Sequence, residues 1–277
     1  MEYIELNCSL PAGEIAFAEI LMARLGELGF ESFEETKEGL LAYIPAHDFD
    51  PSILNMEELW PADIEVNYTW RAVPDENWNA VWESNFEPVT IAGRCHIRAP
   101  FHPVRSDMEF EIVIEPKMSF GTAHHETTSL MIEVLLDADL AGKNVLDMGC
   151  GTGVLAILAA MRRAAEVTAI DNDEWAYHNA LENVIRNKQP GINVYQGDAG
   201  MLENMKFDVI IANINRNILL SDMQSYVNCL DSGGLLLMSG FYREDLQLIT
   251  EKAAALNMLY TDHRVKNNWV VAWYTKA

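Results

Sequence analysis

The chain has 277 residues, enough for two domains of ordinary size, and no apolar run of the roughly 18 residues a membrane span requires. Hydrophobic content of 49% and charged content of 22% are typical of a globular protein in water. A net charge of −23 disfavours nucleic acid, whose phosphates it would repel, and favours a basic partner, with solubility alone as the plain alternative.

The opening "MEYIELNCSL" lacks a basic segment followed by an apolar core, so no secretory signal is expected. Cys8, Cys95, Cys150 and Cys229 are far apart and form no C-x-x-C, which suits a reducing cytoplasm better than a disulfide framework or a zinc site. His124 and His125 are adjacent without a supporting ligand set, so they read as a loop pair rather than a metal pair.

Tyr3–Leu10 reads as a strand, and Pro11–Gly29 carries apolar residues at helical spacing and ends in glycine. "FESFEE" and "LLAYIP" flank Gly39 as a hairpin. "PSILNMEELW" reads as a short helix with Pro51 at its first position, and Asp63–Trp70 as a strand. The order β-α-β-β-α-β is the ferredoxin-like pattern, which assigns residues 1–72 to a small α+β domain. Residues 73–90 read as a connecting helix, with Trp78 and Trp82 four apart on one packing face. Residues 91–277 form the second domain, in which "TIAGRCHIRAP" and "EFEIVIEP" read as strands.

From Leu130 onward strands and helices alternate, and "MLYTDHRVKNNWVVAWYTK" reads as a hairpin about "KNN". This predicts a doubly wound, Rossmann-like parallel sheet with an antiparallel C-terminal hairpin. Trp269 and Trp273 lie on one face of its last strand and read as packing residues.

Between the first of these strands and its helix stands Gly149-x-Gly151-x-Gly153. A dinucleotide fingerprint, G-x-G-x-x-G, would need glycine where Val154 stands. The turn still allows close backbone approach to another adenosine ligand, with Thr152 available to cap the following helix. Asp171 ends the second strand, where its carboxylate can accept from a ribose diol. Asp198 ends the third and can accept from an adenine amino group, and Asn213 ends the fourth. Four such positions at carboxyl ends of successive strands point to S-adenosylmethionine.

The stretches "IEPKMSFGTAHHETTSLMIEVLL", "VLDMGCGTGVLAILAA", "IDNDEWAYHNALENVIRN", "DVIIANINRNILL" and "GGLLLMSGF" resemble the ribosomal protein L11 methyltransferase family (PrmA) over roughly Trp78–Phe241. The resemblance implies a seven-stranded methyltransferase sheet behind a ferredoxin-like substrate-recognition domain. It implies methyl transfer to lysine side-chain and N-terminal amines of ribosomal protein L11, by a cytoplasmic monomer without a metal. By the family's pattern Thr128, Gly149, Asp171 and Asn213 contact the cofactor, and Phe120, Gly121 and Thr122 lie over its reactive end. A base role for His124 is less favoured than ordering of its loop.

Three rivals remain. A methyltransferase for adenine or glutamine usually carries N-P-P-Y or a close variant where this chain has "NINR". A nicotinamide oxidoreductase lacks its third glycine here. An inactive methyltransferase-fold module would be favoured only by Ala123, where the family usually has glycine. If that position needs positive φ, alanine strains the loop by ~1 kcal/mol; otherwise the change is tolerated. The expected outcome is weaker S-adenosylhomocysteine binding by this chain than by its Ala123→Gly variant. Equal affinities by calorimetry would overturn it.

Overall fold

A computed structural model describes the chain except residues 1–2, 11–20, 23, 27, 37–38, 56–58, 61–65, 74–85, 116–120 and 122–123. The connecting helix with Trp78 and Trp82, and also Phe120, Thr122 and Ala123, therefore lie outside the described residues. The chain divides into two compact units, Met1–Val81 and Trp82–Ala277. Cys8, Cys95, Cys150 and Cys229 are free and buried. Among the described residues no helix is long and apolar enough to cross a membrane.

In the first unit β1 (Tyr3–Ser9), β2 (Ser32–Thr36), β3 (Gly39–Pro45) and β4 (Asn67–Val73) form an antiparallel sheet in the order β2-β3-β1-β4. Strand alternation sets its core: Ile4, Leu6 and Cys8 pair with Ile44, Ala42 and Leu40, and all six are buried. Leu21 and Leu25, one helical turn apart, join them. Two expectations shift. Of the last strand, Asp63–Glu65 lie outside the described residues; the described strand is Asn67–Val73, running past Trp70 because it pairs with all seven residues of β1. Where the second short helix is expected, Pro51–Asn55 form a 3-10 turn, opened by the Asp50 carboxylate accepting from Ser52 N–H at 2.9 Å, and residues 56–58 lie outside the described residues.

In the second unit "TIAGRCHIRAP" is not one strand. Ala92 and Gly93 both take positive φ, 51° and 64°, and fold it into a hairpin of β5 (Val89–Ile91) and β6 (Cys95–Arg98). Strand β7 (Phe110–Val113) adds parallel to β6.

The main sheet has seven strands in the order β10-β9-β8-β11-β12-β14-β13. They are β8 (Asn144–Met148), β9 (Glu166–Asp171), β10 (Ile192–Gln196), β11 (Phe207–Asn213), β12 (Leu230–Tyr242), β13 (Met258–Lys266) and β14 (Trp269–Lys276). The first five are parallel, and β14 runs antiparallel to both its neighbours. Asn267 and Asn268, with φ of 47° and 69°, make the predicted turn between β13 and β14. Helices α1 (Glu126–Asp137), α2 (Val154–Met161) and α3 (Glu174–Arg186) pack in one apolar cluster with Val145 and Ile211. Helices α4 (Arg216–Cys229) and α5 (Leu246–Ala255) pack in another, with Leu146 and Ile210. Adjacent residues of one strand thus feed opposite layers, as a strand buried on both faces requires.

Two glycines in β12 separate strain from collision. Gly233 has φ +75° with open space around it, whereas Gly240 has φ +96° and an added Cβ would lie 2.1 Å from the Ile214 carbonyl oxygen. Gly233→Ala should cost about 1 kcal/mol, and Gly240→Ala about 2–4 kcal/mol, by urea unfolding. Equal costs would contradict this assignment.

Candidate cofactor site

Strand order turns over between β8 and β11, because the chain leaves β8 toward β9 and β10 and returns on its other side. Such a reversal opens a crevice at the carboxyl ends of the strands. The register aligns Ile170, Met148 and Ala212 across β9, β8 and β11. The next residue on each strand is Asp171, Gly149 or Asn213, so three candidates separated in sequence stand in one row.

Gly149, Gly151 and Gly153 all take left-handed backbone, with φ of 70°, 54° and 76°. A Cβ on Gly149 would lie 2.2 Å from Ile214 Cγ2, so this position excludes a side chain on two counts. The turn is pinned from β9. Ile170 carbonyl accepts from the N–H groups of Gly149 and Cys150 at 2.8 and 3.1 Å. Asp171 Oδ2 accepts from Gly151 N–H at 2.8 Å, and Oδ1 accepts from Asp173 N–H at 3.0 Å. Each carboxylate oxygen keeps a lone pair for a further donor, so Asp171 can hold the turn and still receive a diol. Asp198 is exposed and caps a 3-10 turn through Gly200 N–H at 2.8 Å, which leaves its Oδ2 open.

Thr152 does not cap α2. The cap position is Gly153, without a side-chain bond. Thr152 instead donates its hydroxyl to Gly121 carbonyl at 2.7 Å, joining the glycine turn to the segment upstream of α1. The cap comes from the strand below: Asp147 Oδ2 accepts from Ala156 N–H at 3.0 Å. Asp147 is fully enclosed, and its Oδ1 has no partner. Burial pushes its carboxyl up to about 7, with the Asp171 charge adding to the rise and the Ala156 bond opposing it. Sequence reading missed Asp147, although a lone acid inside the apolar run "VLDM" was the available signal.

Thr128 and Asn213, 85 positions apart, meet directly: Asn213 Nδ2 donates to Thr128 Oγ1 at 3.2 Å. Thr128 lies buried in the first turn of α1, whose N-cap is His125, accepting from Thr127 N–H through Nδ1. The His125 ring packs edge-on against Trp269, at 4.7 Å. His124 bonds Glu87 carbonyl at 2.8 Å and packs on Phe86. His124 thus engages the loop at Phe86–Glu87, whereas His125 caps α1 and packs on the start of β14. Asn267 and Lys266 also reach α1, through Glu126 and Ser129. A cavity of about 420 Å³ reaches from Ala199 and Gly200, in the turn that Asp198 caps, to Lys206 just before β11.

These residues suit an adenosine cofactor with a short charged tail: a backbone cradle without side chains, a pinned carboxylate and an amide at the crevice. The family model described as ribosomal protein L11 methyltransferase (PrmA) matches residues 22–277. A relative of that name from Phocaeicola vulgatus is 48% identical, covering 97% of either chain. Another from Porphyromonas gingivalis is 49% identical, over 93% of this chain and 90% of its own. The crystal structure of a ribosomal protein L11 methylase from Lactobacillus delbrueckii subsp. bulgaricus, 26% identical, matches 69% of this chain and all of its own with a TM-score of 0.63.

A raised carboxyl favours the fold at low pH. The contribution of Asp147 is complete below its unfolded value near 3.8 and is lost as pH rises toward about 7. The stability of the wild type relative to Asp147→Asn should therefore fall between pH 4 and pH 7, measured by urea unfolding. A difference independent of pH would contradict the burial argument.

Proposed function

This chain belongs to the ribosomal protein L11 methyltransferase family, whose cofactor is S-adenosylmethionine, and we propose that it methylates lysine side-chain and N-terminal amines of ribosomal protein L11. The observation that carries the reading is the Asn213–Thr128 bond at the row that also holds Gly149 and Asp171. It brings to one point the two stretches, F-G-T-x-x-H-x-T-T and A-N-I, that single out this family. In this reading Gly149, Gly151, Asp171, Asp198, Thr128 and Asn213 hold the cofactor, and Phe120 and Thr122 cover its reactive end.

Bound cofactor supplies an electrophilic methyl group, so the chain's task is alignment and exclusion of water. A free lysine amine has a pKa near ~10.4 and must lose its proton to react. A partly desolvated channel lowers that value, and the Asn213 carboxamide oxygen can orient the neutral amine. Water takes the proton before transfer, without a dedicated side-chain base.

The first unit is read as a ferredoxin-like recognition domain over residues 1–72, which the antiparallel order β2-β3-β1-β4 supports. Residues 73–90 are the connector and 91–277 the catalytic domain. The partner is a basic protein rather than nucleic acid, in keeping with the charge of −23. The free buried cysteines suit a cytoplasmic enzyme, which we take to act as a monomer.

Purified protein, L11 and labelled S-adenosylmethionine should give label on lysine and N-terminal amines, mapped by mass spectrometry. Asn213→Ala should lower kcat by about a hundredfold. The rate should climb with pH toward the acceptor's own pKa. No label on L11, or an essential group near pH 6–7 removed by one carboxylate or histidine change, would overturn the reading.

A further inference from the structure

Helix α3 carries Asn179 and Asn183, with Asn187 as its C-cap, at a spacing of four that puts all three on one face. Asn179 and Asn183 have no solvent exposure and Asn187 has 9%. Buried amides at three successive turns are costly unless each is bonded, so their partners matter.

Asn187 serves β7. Its Oδ1 accepts from Val113 N–H at 2.8 Å and its Nδ2 donates to Val113 carbonyl at 2.6 Å, as a neighbouring strand would. Asn183 goes further. Its Oδ1 accepts from Glu115 N–H at 2.8 Å, at the start of the segment that leads to Gly121. Its Nδ2 donates to Thr152 carbonyl at 3.0 Å, inside the glycine turn, and to Asn179 Oδ1 at 2.7 Å. Amide orientation follows from these partners: reversing Asn183 would face its NH₂ toward Glu115 N–H and its oxygen toward Thr152 oxygen. Glu115 and Gly121, the two ends of one stretch of chain, are thus both tied to the glycine turn. Asn183 bridges one end, and the Thr152 hydroxyl on Gly121 carbonyl closes the other.

We propose that Asn183 is a positioning residue for methyl transfer, which acts through Thr152 to fix the glycine turn against Glu115 and Gly121. The assignment rests on the cofactor reading above, and its first readout needs no acceptor. Asn187 is the built-in control. It sits on the same helix face and bonds Val113 in β7, two residues before the Glu115 that Asn183 bonds, but does not reach Thr152.

Both Asn183→Ala and Asn187→Ala should lower the melting temperature. Only Asn183→Ala should weaken S-adenosylhomocysteine binding, by about tenfold in calorimetry. It should also lower kcat on L11 with little change in KM for L11. Asn187→Ala should keep both within about twofold. Asn183→Ser offers the same comparison if the alanine variant does not fold. Equal affinities in the two variants, or a loss in proportion to stability alone, would overturn the role of Asn183. Normal cofactor binding by the wild type without methylation of L11 would instead overturn the acceptor reading and leave this inference standing.

Discussion

The candidate cofactor site depends first on one carboxylate. Asp171 takes an N–H from the glycine turn with one oxygen and an N–H from the start of the next loop with the other. Three left-handed residues in a row of five have few local bonds of their own, so an outside acceptor must hold them. A charged acceptor in a buried place makes strong bonds, and Asp171 is 8% exposed. Its position follows from the parallel register of β8 and β9, which sets the end of β9 beside the turn.

Much of this was legible because it is written in short periods. The alternation of strands and helices after Leu130, the glycine turn and the Asn-Asn hairpin turn are local signals, and each appears where it was expected. The places that differ depend on partners distant in sequence. The end of β4, Val73, is set by Tyr3 of β1, about 70 residues earlier. Thr152 precedes a helix and carries a capping side chain, yet its hydroxyl is claimed by Gly121 from another part of the chain. A cap then has to come from elsewhere, and Asp147 supplies it from within the strand. The hairpin at Ala92-Gly93 was legible in principle, since a glycine in a short apolar run marks a turn as readily as a strand.

Buried polar groups divide here into two kinds. Asn183 and Asn187 have every exposed-strand or turn partner they need, so their burial specifies geometry at little net cost. Asp147 and Asn179 each leave one atom without a partner: Oδ1 of the acid and Nδ2 of the amide. Both lie against the glycine turn's support, Asp147 through α2 and Asn179 through Asn183. A third such atom among the described residues, Tyr226 Oη, lies on α4; at the turn's support, bonds fixed by backbone geometry use one half of each side chain and leave the other over.

The A-N-I-N stretch shows that the residues of one short motif can have different structural roles. Asn213 turns to Thr128 in the crevice. Asn215, two residues on, is the N-cap of α4, accepting from Ile218 N–H at 3.1 Å. Between them Ile214 is approached closely by two glycines, and a Cβ on either Gly149 or Gly240 would strike it within about 2.2 Å. Ile214 thereby fixes the spacing between the turn after β8 and the end of β12, on both sides of Asn213. The proposed alignment of an amine by this amide requires a backbone that does not shift, and the neighbouring Ile214 restricts that freedom.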